Sequence, residues 1–214
     1  MRSVAVVGPE GHRDALAVAL TAFLDVPVLT DRAEPDLAVS SSPFADHRTR
    51  LVGVDGRLVT WDDLPELRAA VASRLARAAG DDTKAVLVLP SFPAADARAE
   101  LEQLDDVDRF ARAAVVDAGL DRWAATAIAW EPVDPAGGDV YGVRTAEVVG
   151  GLADLGRTTR IVVVPVGLDG DHPGIEAARR VGGDAGIAVD VTGRADLDPT
   201  VVRGLATRIS GALT

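Results

Sequence analysis

The chain reads as an α/β protein: parallel sheets flanked by helices, set out in two lobes of which the first is shortened. Three observations predict this. Uniformly apolar runs recur along the sequence, among them SVAVV at 3–7, AVLVL at 85–89 and IVVVPV at 161–166. Runs of that kind suit strands buried on both faces. Each is followed by a stretch with apolar residues at helical spacing, the mark of strand–helix units. The composition agrees, since 48% of residues are hydrophobic while only 4% are aromatic. That is a core of Ala, Val and Leu, not one of stacked rings.

In chain order, a strand at 3–7 stops at Gly8-Pro9 and a helix over 10–24 follows, with Leu16, Val18 and Phe23 among its apolar positions. Residues 26–29 and 36–40 read as two further strands. The segment 50–61 (RLVGVDGRLVTW) has two β-rich arms around Asp55-Gly56. Asp-Gly in that setting predicts a hairpin, because both turn positions need φ > 0. Asp62 or Asp63 then caps a helix running to about Ala79. A polar break at 79–83 separates a first lobe (1–80) from a second (84–214). In the second lobe, strands at 85–89, 124–130, 161–166 and 187–191 alternate with helices at 94–118, 140–155, 175–182 and 199–213. Successive strand–helix units imply right-handed crossovers, and hence two Rossmann-like lobes. The strands at 3–7, 85–89, 124–130 and 161–166 are expected to be central and parallel.

Composition excludes several functions. There is no Cys, which removes disulfides, thiolate metal sites and a cysteine-held iron–sulfur cluster. A formal net charge of −11 repels nucleic acid and anionic membrane surfaces. No stretch approaches the ~20 apolar residues of a spanning helix. The N-terminal segment has no apolar core of a secretory signal, so a cytoplasmic protein is expected.

Ligands of such sheets bind beyond the carboxyl ends of the strands. That rule selects the loops 8–14, 90–96, 131–139 and 167–175, and with them Gly8, Glu10, His12, Ser91 and Glu131 as candidate ligand-binding residues. Gly8-Pro9-Glu10-Gly11-His12 opens a helix whose N–H groups suit an anion, although Glu10 opposes one and no nucleotide-binding glycine pattern is present. His12 and His172 both follow strands, and both are expected to face one cleft. Imidazole carries protons or binds metal near neutral pH. His47, in ADHRTR, reads as solvated. No GxSxG elbow is present around Ser91 or in the 40–43 run SSSP.

Taken in order, the strand-end loops resemble the ferrochelatase family. VVGPEGHRDAL (6–16) is similar to the family's opening strand and GGPEGP-like loop, and AVLVLPSFP (85–93) to its strand before AHSLP. LDRW (120–123) falls before the next strand, VVVPVGLDGDHPGIE (162–176) resembles VVVPVGFVSDHxE, and VTGRADLDP resembles the segment before the last helix. The match covers nearly all of the second lobe and only the start of the first. A weaker similarity extends to the sirohydrochlorin chelatases.

The resemblance implies a chelatase-like fold that holds a tetrapyrrole, coproporphyrin or protoporphyrin. Fe2+ is then a substrate metal, and no permanently bound cofactor is expected. It also implies a His in the AHS loop and a Glu in the DHxE loop that move protons off the ring nitrogens. Here those positions are Pro90 and Gly174, neither of which can accept a proton through its side chain. His172, which matches the DH histidine, and Glu176, two residues past the missing Glu, remain as catalytic candidates. His172 and Glu10 remain as metal-facing candidates. Without the two family groups, iron insertion is expected to be absent or very weak, because positioned acid–base groups contribute ~10²–10⁴-fold. Two alternatives stand beside it: a non-catalytic relative that binds tetrapyrrole, metal or a partner enzyme, and an unrelated anion-binding module using residues 8–14.

Overall fold

A computed structural model describes residues 2–8, 10–30, 35–41, 57–59, 61, 64–80, 83–91, 97–120, 126–132 and 142–214. Two four-stranded parallel sheets carry the fold.

The first sheet holds β1 (Val4–Val7), β2 (Val28–Leu29), β3 (Leu37–Ser40) and β4 (Arg57–Val59), in the order β2-β1-β3-β4. Helix α1 (Glu10–Thr21) makes the crossover from β1 to β2. Val4, Val6, Leu37 and Val39 are fully buried, as their unbroken apolar run requires. Register pairs Val4 with Leu37 and Val7 with Ser40, and the ladder continues through Ser41 N–H, which donates to the Val7 carbonyl at 2.8 Å. The indole N–H of buried Trp61 donates to the Ser40 carbonyl at 2.7 Å and ties the segment after β4 to the end of β3.

The second sheet holds β5 (Thr83–Ser91), β6 (Thr126–Pro132), β7 (Arg160–Pro165) and β8 (Ala188–Val191), in the order β6-β5-β7-β8. Its helices are α2 (Pro65–Ala78), α3 (Ala97–Asp117), α4 (Thr145–Asp154) and α5 (Pro173–Asp184); α6 (Pro199–Leu213) ends the chain. Alternate side chains of β5 serve opposite faces. Val86 and Val88, with Ile161 and Val163 of β7, pack on Val149 and Leu152 of α4 and on Ile175 and Ala178 of α5. Ala85, Leu87 and Val164 instead line a small apolar cavity with Val71 and Leu75 of α2 and Ala111 and Val115 of α3. Helices on both faces explain why these strands show no polar alternation.

One expectation is corrected. The strand expected at 124–130 is parallel but lies at the sheet edge: β6 pairs only with β5 among the described strands. Its first three residues are accordingly half-buried, while its last four are buried. The expected second hairpin arm forms β4 and pairs in parallel with β3. The other arm and the Asp55-Gly56 turn lie outside the described residues, as do His47 and the expected Asp62 and Asp63 caps.

The break at 79–83 separates the two sheets. The compact units are interleaved in sequence: residues 1–67, 94–103 and 196–214 form one, and residues 68–93 and 104–195 the other. The terminal helix α6 therefore belongs with the first sheet, where it packs on α1, β3 and β4. It starts at Asp198, whose carboxylate accepts from Thr200 N–H at 3.0 Å, with Pro199 at the first helical position. Among the described residues, no helix is long and apolar enough to cross a membrane.

Candidate functional site

In the second unit the candidate residues gather where β6 ends and where α4 and α5 begin. Glu131 is the next-to-last residue of β6, in register with Pro90 on β5, and Ser91 ends β5 opposite Pro132. Glu131 is only 1% exposed. Its Oε1 accepts from the Thr145 N–H, at the first position of α4, at 2.8 Å. A carboxylate there meets an N–H that the helix cannot satisfy itself and lies at the positive end of its dipole. Arg144 N–H, at the cap, donates to Glu147 at 3.2 Å, so two carboxylates close this helix start.

The same carboxylate reaches α5. A Cβ built on Gly174 would collide with the Glu131 carboxyl group. The volume that a side chain at 174 would fill is therefore occupied by the Glu131 carboxylate. Glu131 thus adjoins Pro90 through strand register and Gly174 through contact.

His172 is the N-cap of α5, followed by Pro173 at the first helical position. Its Nδ1 accepts from Gly174 N–H at 3.2 Å. Its Nε2 lies 2.9 Å from the Pro132 carbonyl oxygen, which can only accept, so Nε2 carries the proton and donates. Both ring nitrogens are engaged, one holding the helix start and the other holding it to the end of β6. Glu176 lies one turn on, half-exposed, and pairs with Arg179 on the same helix face. The structure thus brings His172 close to Glu131 through Pro132 and Gly174, while Glu176 points to the helix surface.

The first unit holds Gly8, Glu10 and His12. Gly8 follows β1 with φ +141°, Glu10 is exposed in the first turn of α1, and His12 is 5% exposed. The sequence loop 8–14 is thus largely helix. Glu10 and His172, the expected metal-facing pair, belong to different units. Among the described residues, no three His, Asp or Glu side chains form a group able to hold a metal ion.

Two buried hydroxyls escaped the sequence reading. Thr145 and Ser41 are 0% and 1% exposed, and neither side-chain oxygen has a hydrogen-bond partner among the described residues. For Thr145 the available signal was its place at a helix start with an acid two residues on. For Ser41 it was the Ser run at a strand end, which reads equally well as a plain turn. Compared with known proteins, the chain matches no family model and no curated protein.

Proposed function

We propose that this chain is a ferrochelatase-like protein of the cytoplasm that binds a tetrapyrrole and inserts iron weakly or not at all. The observation that carries this reading is the state of the two remaining proton-handling candidates. His172 spends both ring nitrogens on capping α5 and on the Pro132 carbonyl. Glu176 is held in a surface pair with Arg179. General acid–base chemistry needs a group within reach of the proton it moves, with a lone pair or proton to spare. Glu131 stands beside both departed family positions, yet it is buried and clamped to the start of α4. A carboxylate so placed stabilises helix starts more readily than it exchanges protons with a ring. Binding is what remains of the chelatase chemistry.

The test is an absorbance titration of the chain with coproporphyrin and with protoporphyrin. A saturable shift of the Soret band with either ring supports the reading. A spectrum identical to that of free porphyrin at every protein concentration contradicts it.

A further inference from the structure

Asp169 precedes Gly170 in the turn between β7 and α5, and the sequence holds one other Asp-Gly pair, at 55–56. Glycine has no Cβ to shield its own nitrogen, so an aspartyl side chain before it can close a five-membered ring onto the main chain. The groups that this ring closure needs are open here. The Asp169 side chain is 64% exposed, so an oxygen that leaves it meets water. The Gly170 N–H, whose nitrogen is the nucleophile, has no hydrogen-bond partner among the described residues. A Cβ on Gly170 would lie 3.5 Å from Val191 Cγ1 and 3.8 Å from the Thr192 carbonyl oxygen, both ordinary contacts. Packing therefore does not demand glycine at 170.

Asp169 also holds the turn in place through two separate groups. Its side-chain Oδ1 accepts from the buried Arg194 guanidinium at 3.2 Å. Its main-chain carbonyl accepts from the N–H of His172, the N-cap of α5, at 3.1 Å.

We propose that Asp169-Gly170 is a spontaneous modification site, where aspartate converts to isoaspartate and unpins the start of α5. The Gly170 nitrogen attacks Asp169 Cγ. The N–Cγ bond forms, a Cγ–O bond breaks, and the oxygen leaves as water with the amide proton and one proton from solvent. Water then opens the cyclic imide at the Asp169 α-carbonyl, breaking its bond to nitrogen. One proton of that water returns to the nitrogen and the other to solvent, and nothing is oxidised or reduced. The main chain now runs through Cβ and Cγ, and the former α-carbonyl ends as a free carboxylate. The acceptor of the His172 N–H thus leaves the main chain while the acceptor of Arg194 joins it, so the turn cannot keep both bonds. The site does not depend on the tetrapyrrole reading.

The experiment ages the full chain at pH 7 and 37 °C, folded and, separately, unfolded in urea, followed by tryptic mapping with electron-transfer fragmentation. Residues 161–179 leave as one tryptic peptide and residues 51–57 as another, so the two Asp-Gly pairs are read apart. In the folded chain an isomeric 161–179 peptide of unchanged mass should accumulate, with its isoaspartate at 169. Gly170→Ala, whose methyl group fits the turn and hinders ring closure, should lose most of that peak. The aged native chain should unfold at a lower urea midpoint than the fresh chain, while aged Gly170→Ala should not shift. Isoaspartate at 169 that forms only in the urea-unfolded chain, an equal yield in Gly170→Ala, or an unchanged midpoint once the isomer has accumulated would each overturn the assignment.

Discussion

Gly174 and Glu131 form a pair in which one residue exists in its present form because of the other. The Glu131 carboxylate fills the space beside the Gly174 Cα, and its oxygen holds the first N–H of α4. Gly174→Ala should therefore cost about 1–3 kcal/mol as an overpacked site. Glu131→Ala should cost a similar amount by orphaning the Thr145 N–H. Because each change affects the same volume, the double variant should lose clearly less than the two single losses added together. Urea denaturation of the four proteins measures this, and strict additivity would show that the contact carries no energy. His172→Ala should remove about 1 kcal/mol through the lost cap of α5, and His172→Asp, a better capping side chain, should recover part of it. The same denaturation series reads both. The sequence marked His172, Gly174 and Glu131 as notable, but their arrangement was hidden in it. The acceptor that locks the His172 Nε2 and the carboxylate that replaces a side chain at 174 both come from the distant end of β6, and no local pattern encodes such a contact.

Elements were far more legible than contacts, for a physical reason. A strand covered on both faces needs an unbroken apolar run, and a helix packed on a sheet needs an apolar stripe, so each announces itself locally. α6 starts and ends where its pattern and its Asp198-Pro199 cap place it. Strand order is a different matter. β6 is as apolar in sequence as β5, yet it lies at the edge with its first residues half-buried, because order depends on crossovers that the run itself does not specify. Packing also separates glycines that look alike. A Cβ on Gly182 of α5 would strike Val189 of β8, whereas Gly151 of α4 is exposed with nothing within 4 Å. Gly182→Ala should thus destabilise by about 1–3 kcal/mol through the close helix–strand approach. Gly151→Ala should stabilise by about 0.5–1 kcal/mol through helix propensity. Thermal unfolding of the two variants checks both signs, and a stabilised Gly182→Ala would mean that α5 and β8 are not packed so closely.

For the whole molecule, charge and binding meet. A chain of formal net charge −11 repels a porphyrin that carries several carboxylates. The Debye length falls from ~30 Å at 0.01 M salt to ~8 Å at 0.15 M. Affinity for coproporphyrin should therefore rise across that range, and affinity falling with salt would point to a basic contact surface instead. The central claim is binding without efficient metal insertion. It is tested most directly by anaerobic addition of Fe2+ to the chain saturated with coproporphyrin, followed by absorbance. The account predicts a shifted Soret band and a free-base visible spectrum that decays no faster than the protein-free blank. Conversion to the metallated spectrum at a rate well above that blank would contradict it, and would show that a group on this chain still takes the ring protons.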